Sequence, residues 1–164
     1  MTEPTRLRIR SSARALLLTP HADVLMVRFE FPARPVWALP GGGLEPGETH
    51  VDALHRELAG EVGLTDVEVG PHIWNREHII PFLDGRWDGQ HDRVYLVHTE
   101  RFEPSPTMSW AQLRAERLHE LRWWTADALR AAPEDVTFAP GRMPELIHRL
   151  LTEGPPTAPI DTGV

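Results

Sequence analysis

The segment Pro40-Gly41-Gly42-Gly43-Leu44-Glu45-Pro46-Gly47-Glu48 constrains this chain more than any other. Its prolines and glycines exclude regular structure, and the glycines point to positive φ angles or to a backbone pressed against something else. A helix follows at once. Thr49 with Asp52 makes a capping-box-like start, and Val51, Leu54, Leu58 and Val62 recur at helical spacing as one apolar face. Gly63 provides the stop, with Leu64 available for the hydrophobic contact past the cap. Glu57 and Glu61 stand about 40° apart around this helix, on a stripe beside the apolar face. Like charges four residues apart are mildly destabilising, a cost that a bound cation removes. Hard cations such as Mg2+ and Mn2+ prefer oxygen ligands and share their remaining positions with phosphates. The unpaired N–H groups at a helix start favour the same anions, so turn and helix read as one unit.

Around this unit the chain alternates strands and helices. Ser12 to Thr19 and Val24 to Arg28 read as a hairpin turning at Pro20, His21 and Asp23, and Val36 to Leu39 as a short strand. Val67 to Gly70, Ile73 to Phe82 and Arg93 to Thr99 also look like strands, with turns at Asp84-Gly85 and Asp88-Gly89, followed by Leu121 to Trp124. Thr125 caps a short helix over Ala126 to Arg130, and Pro144 starts another running to about Leu151. The Pro- and Thr-rich tail 154–164 reads as mobile. This order predicts an α/β fold, a mixed sheet with helices on both faces, in one domain spanning 1–164 with its core at about 8–151.

Composition narrows the chemistry. With no cysteine in the 164 residues, disulfides, thiolate metal sites and thiol nucleophiles drop out. A formal net charge of -7 argues against a nucleic-acid polymer as the main partner. A small phosphorylated ligand remains compatible, because a carboxylate-held cation attracts it. No apolar run reaches membrane-spanning length, which places the expected protein in the cytoplasm and off the membrane. The nine histidines show no H-E-x-x-H spacing, the glycine run lacks the Lys-Ser or Lys-Thr of a P-loop, and the serines lack a nucleophile elbow.

Glu57 and Glu61 taken alone are more often an ordinary solvated helix face than a metal site. The spacing decides between them. Gly42 to Leu64 resembles the Nudix box, G-x5-E-x7-R-E-U-x-E-E-x-G-U with U aliphatic, through Gly42, Glu48, Arg56, Glu57, Leu58, Glu61, Gly63 and Leu64. Trp37-Ala38-Leu39-Pro40-Gly41 is similar to the family's lead-in. The departure is Gly60, where the family has the first glutamate of its E-E pair, and helix propensity does not explain a glycine there.

The resemblance implies an α/β/α sandwich and hydrolysis of a phosphoanhydride bond in a nucleoside diphosphate derivative, with Mg2+ or Mn2+ as cofactor. It implies that Glu57, Glu61 and the Gly42 carbonyl hold metal and that Arg56 pairs with Glu48 to brace the loop. A further glutamate from beyond the box is expected at Glu120, with Glu116 as second candidate, and Glu57, Glu120 or neither as general base, since the family varies in where that base sits. Trp74, Arg76 and Arg93 are candidate substrate contacts, although tryptophans more often fill cores and arginines are more often solvated. The family also implies a possible homodimer. The alternative reading is a nucleotide-sensing module that kept the fold and lost turnover with Gly60. If the missing glutamate limits the site, Gly60→Glu should tighten metal binding and raise turnover.

Overall fold

A computed structural model describes residues 6–164; the first five residues of the expected domain lie outside the described residues. The opening hairpin forms as its β-branched and aliphatic runs predict: β1 (Ile9–Leu18) and β2 (Asp23–Glu30) are antiparallel. β3 (Pro35–Ala38) pairs with β2, and the glycines themselves form a three-residue strand, β4 (Gly41–Gly43), on β1. Helix α1 (His50–Val62) is closed at its start by reciprocal Thr49 and Asp52 hydrogen bonds and at its end by Gly63 at φ 74. The Gly63 N–H reaches the Ala59 carbonyl and the Leu64 N–H the Leu58 carbonyl, the paired bonds of a left-handed helix stop.

Strands β5 (His72–His78) and β6 (Gly89–His98) follow, antiparallel to one another, and β6 runs parallel to β1 over its whole length. After α2 (Trp110–Ala115) come β7 (Leu118–Thr125), α3 (Ala126–Arg130), β8 (Phe138–Ala139), α4 (Met143–Glu153) and β9 (Ile160–Asp161). The curled, mixed sheet runs β8-β3-β2-β1-β6-β5-β9, with β4 added to β1 and β7 to β2.

Strand alternation divides β1 between two cores. Ala13, Ala15 and Leu17 face α1, where Leu54, Leu58 and Val62 are fully buried. Each of those aliphatic side chains stabilises the helix on the sheet by about 1.5–3 kcal/mol. Leu16 and Leu18 face the opposite layer, packed with Trp37, Trp124 and Phe138 and with Leu146, Ile147 and Leu150 of α4. The molecule is thus the expected α/β/α sandwich.

Several expectations give way. Val51 is exposed, because Ala53 takes its place on the buried face. Residues 67–70 are not a strand: the Gly70 N–H bonds the Leu96 carbonyl, and a side chain on Gly70 would strike that same oxygen. Asp88-Gly89 is not a turn but the entry to β6; the reversal lies earlier, at Leu83, Asp84 and Gly85, all at positive φ. The tail does not hang free, since β9 pairs in parallel with β5 and Thr162 is buried against the Asn75 carbonyl. Helix α2, capped by Ser109 and Gln112, carries one buried residue, Leu113, and so has no apolar periodicity to read.

Candidate active site

The glycine turn is shaped by what surrounds it. Gly41 has φ 144, and a Cβ built there would lie 2.1 Å from the Ala13 carbonyl oxygen. Neither the angle nor the space admits another residue. Its N–H donates to Glu61 Oε1 at 2.8 Å, which draws the turn onto α1. Gly42 is constrained from the other side: a Cβ there would lie 2.6 Å from Glu57 Oε1. The two helix carboxylates therefore bear directly on consecutive glycines of the turn.

Arg56 locks this arrangement. Its Nε and Nη2 donate to the two Glu48 oxygens at 2.9 and 2.8 Å, Nη2 also reaches the Gly43 carbonyl at 3.0 Å, and Nη1 reaches Glu57 Oε1 at 2.8 Å. Forked contacts of this kind fix direction as well as charge. The Arg56 hydrogen bonds, with one from the Glu45 N–H, hold the Glu48 carboxyl down at about 2. Glu61 is displaced the other way. It is 2% exposed, and burial followed by the Glu57 charge pushes its carboxyl well above the usual range, against the opposing pull of Arg14 and the Gly41 N–H.

Gly60 does not face the turn. A Cβ there would lie 3.2 Å from Met108 Sδ and 3.3 Å from its Cγ. The connection 105–108 runs along the last turn of α1: Ser105 N–H bonds the Val62 carbonyl, Met108 N–H the Gly60 carbonyl, and the Thr107 hydroxyl the Ala59 carbonyl. At Gly63 a Cβ would lie 2.0 Å from the Ser105 carbonyl oxygen. Gly63 lets the backbone of this segment sit on the helix, Gly60 leaves room for the Met108 side chain, and the segment satisfies free carbonyls of the last turn.

That connection leads through α2 to Glu116, whose charge environment includes Glu57, Arg10 and Arg56. Burial, then the Glu57 charge, raises its carboxyl, and it acts in turn on Glu61. Glu120, the first-choice third carboxylate from sequence, is elsewhere: on β7 it lies opposite Arg28 of β2, bonded by Arg122 Nη2 at 3.0 Å and 3.7 Å from Arg28 Nε. The β-bulge between Arg28 and Phe29 and the positive φ of Arg117 set this strand entry, which sequence spacing does not reveal. Among the described residues no three His, Asp or Glu side chains are close enough together to hold an ion. Two carboxylates on a glycine turn fit a cation that keeps waters and phosphate oxygens in its remaining positions.

The three candidate substrate contacts separate. Trp74 is 1% exposed in the core beside Val94 and Ile160 and has no face to offer a base. Arg93 is exposed on the α1 side of β6, where its charge acts on His50. Arg76 lies on the opposite face, within reach of Asp92 at 3.5 Å. There it joins a polar group that sequence reasoning passed over: Arg10, Ser12 and Arg14 on β1, Gln90 and Asp92 on β6, and Arg76 and His78 on β5. The signal available was the run of polar residues at every second position of β1, Arg10, Ser12 and Arg14, on a strand whose second half is apolar. Asp92 is 3% exposed. Burial opposes its ionisation, but Arg14, the Ser12 hydroxyl, Arg76 and Gln90 outweigh that and hold its carboxyl below the usual range.

Comparison with known proteins bears on the fold and the family. The family model for the NUDIX domain matches residues 8–146. An RNA pyrophosphohydrolase of Helicobacter pylori is 30% identical over 109 residues, covering 57% of this chain and 68% of that protein. A putative 8-oxo-dGTP diphosphatase 2 of Mycobacterium tuberculosis is 36% identical over 94 residues, 56% of this chain and 62% of that one. Among solved structures, the NUDIX domain of Shewanella oneidensis NrtR, complexed with ADP ribose, superposes with a TM-score of 0.65 at 17% identity over 90% of this chain and 91% of that one. A C. elegans Ap4A hydrolase superposes at 0.59 with 15% identity, over 88% and 97%. At those identities the structures speak for the fold alone, whereas the family match covers most of the chain. The chain belongs to the Nudix hydrolase family.

Proposed function

We propose that this chain is a divalent-metal-dependent pyrophosphohydrolase that cleaves a phosphoanhydride bond in a nucleoside diphosphate derivative, using Mg2+, with Mn2+ as a substitute. The carrying observation is the convergence of Glu57 and Glu61 on the glycine turn, through Gly42 and the 2.8 Å bond from the Gly41 N–H. Family membership and relatives named as RNA pyrophosphohydrolase and 8-oxo-dGTP diphosphatase support the reaction class. The cytoplasm, where such nucleotides are found, is the setting this reading calls for.

Glu57, Glu61 and the Gly42 carbonyl would hold the cation, with Glu116 in place of Glu120 as the further carboxylate nearby, acting on water rather than completing the ligand set. A cation so placed supplies neutralisation of the diphosphate and acidification of a water. The protein's own part is positional. Arg56 keeps Glu57 and the Gly43 carbonyl in register with Glu48, and the Gly41 N–H fixes the Glu61 carboxylate. Glu116, exposed at the end of α2 with its carboxyl raised by partial desolvation and the Glu57 charge, is suited to accept a proton from attacking water, as is Glu57.

The test is release of phosphate, pyrophosphate or nucleoside monophosphate from a nucleotide panel with Mg2+ and with EDTA. Glu57→Gln and Glu61→Gln should lose turnover by about 100-fold or more. Glu116→Gln should lose at least tenfold more than Glu120→Gln. Nucleotide binding without turnover in the unaltered protein would instead establish the sensing module. Equal effects at 116 and 120 would remove Glu116 from the site.

A further inference from the structure

The polar group on the far face of β1 forms two rows across three strands. Strand register places Arg10 beside Gln90 and Gln90 beside His78, then Ser12 beside Asp92 and Asp92 beside Arg76. Arg14 completes the group, 3.4 Å from Asp92 Oδ1 through its Nε and bonded through Nη1 to the Leu39 and Gly41 carbonyls at 3.1 and 3.3 Å. Two guanidinium groups, Arg14 and Arg76, thus share the Asp92 carboxylate, and a third, Arg10, stands beside them without an ion pair among the described residues, in a chain whose overall charge is -7. Arg76 Nε is buried and finds no hydrogen-bond partner among the described residues.

Arg10 is the member that a ligand can touch. It is half-buried, and among the described residues it makes no ion pair and only a long contact, 3.4 Å, to the Gln90 side-chain oxygen. Its guanidinium lies so close over Gly43 that a Cβ there would meet Nε at 2.2 Å. Burial and the Arg14 charge work against its own charge, while Glu57, Asp92 and Glu116 favour it. Arg10 therefore stands at the border between the carboxylates of the glycine turn and the cationic sheet face, with unused donors. Arg14 and Arg76 lie behind it, 14% and 13% exposed.

We propose that Arg10, backed by Arg14 and Arg76, forms an anion subsite for a phosphoryl group beyond the two joined by the scissile bond. The preferred substrates are then nucleotides with three or more phosphates in a row. This rests on the proposed hydrolase reading for the scissile bond, but the subsite stands on its own charge balance. Asp92 pairs directly with Arg14 and Arg76 only, so the three guanidinium groups outnumber the carboxylate on this sheet face, an excess that one further phosphate offsets. The neutral ribose or sugar of a two-phosphate substrate leaves that excess uncompensated and the buried donors unmet.

Two measurements on Arg10→Ala and Arg10→Lys test it. In the first, inorganic tripolyphosphate is titrated calorimetrically into the protein in EDTA, at low and high salt. The expected result is salt-sensitive binding that Arg10→Ala weakens about 10- to 100-fold, the range for loss of a charge-assisted contact. Arg10→Lys should weaken it less, because the charge remains and the planar fork is lost. In the second, kcat/KM with Mg2+ is compared for ATP and ADP-ribose. Their ratio should fall about tenfold or more in Arg10→Ala and several-fold in Arg10→Lys. Mn2+ affinity and the melting temperature separate a disturbed glycine turn from a lost ligand contact. A ratio unchanged in both variants, or tripolyphosphate binding unchanged by either, overturns the proposal, as does a loss that merely tracks Mn2+ affinity. If the unaltered protein turns over no nucleotide, the hydrolase reading fails and the tripolyphosphate titration alone decides the subsite.

Discussion

Gly41 and Gly42 are adjacent, yet replacing each by alanine should damage different properties. At Gly41 the new Cβ meets the main chain of β1, 2.1 Å from the Ala13 oxygen and 2.7 Å from the Arg14 Cα. The φ of 144 also lies where an alanine is strained. The strain costs about 1–3 kcal/mol and the overpacking about as much again. A loss of about 3 kcal/mol or more follows, which for a domain of this size lowers Tm by roughly 6–12 °C. At Gly42 the obstacle is the end of a side chain, Glu57 Oε1 at 2.6 Å, and φ is not in the left-handed region. The carboxylate can move aside by about 1 Å to regain ordinary contact. The fold should stay within about 1 kcal/mol, helped by the lower entropy of the unfolded alanine chain. Turnover should fall about 100-fold, since a misplacement of that size is costly to catalysis. Urea melts in EDTA and Mg2+-dependent phosphate release read the two effects separately. Gly42→Ala with full turnover, or Gly41→Ala melting with the unaltered protein, would refute the reasoning.

Gly60→Glu, expected from sequence to tighten metal binding, should instead push Met108 by a few tenths of an ångström and loosen the 105–108 connection; Mn2+ titration should find no gain in affinity, and turnover should fall. The Glu48 carboxyl, lowered to about 2 by Arg56, contributes stability that is fully present above the ordinary carboxylate value of 4.5 and lost as pH falls through about 2. Denaturant melts of Glu48→Gln should therefore differ from the unaltered protein near neutrality and converge with it toward about pH 2; a constant difference would sink the assignment. Saturating Mg2+, at about 100 times its Kd, should stabilise the fold by about 2.7 kcal/mol in thermal melts, and Glu57→Gln should shrink that gain.

The strongest local signals were legible because each rested on one short-range cause. Thr49 with Asp52, Gly63, and Thr125 each sit at a helix end whose free N–H or C=O groups require a partner. The alternation in β1 also gave a strand, but not which polar residues on it would meet. Arg10, Ser12 and Arg14 gain meaning only through the parallel pairing with β6, which joins residues about 80 positions apart. No local rule fixes that register. Trp74 failed as a substrate contact for a related reason: its neighbours Asn75, Arg76 and Glu77 are polar in sequence, while its neighbours in space are Val94 and Ile160. Glu116 and Glu120 are four positions apart, one at the end of α2 and the other on β7, and the junction between them, with Arg117 at φ 70, leaves Glu116 as the one within the charge field of Glu57.

Gly60 and Glu116 are two ends of one arrangement. A glutamate at position 60 would push the Met108 side chain aside by a few tenths of an ångström and loosen the seat of 105–108 on the last turn of α1. With glycine there, the Val62, Gly60 and Ala59 carbonyls bond to Ser105, Met108 and Thr107, which anchors the start of the path into α2. That path is short: Ser109 caps α2 at once, Leu113 buries it beside Val27 and Leu118, and Glu116 ends it within the charge field of Glu57 and Glu61. On the proposed reading, the helix that supplies two carboxylates is also the platform that positions the third. The glycine then marks where the third is attached, and the carboxylate missing from the helix is recovered from the chain that crosses it.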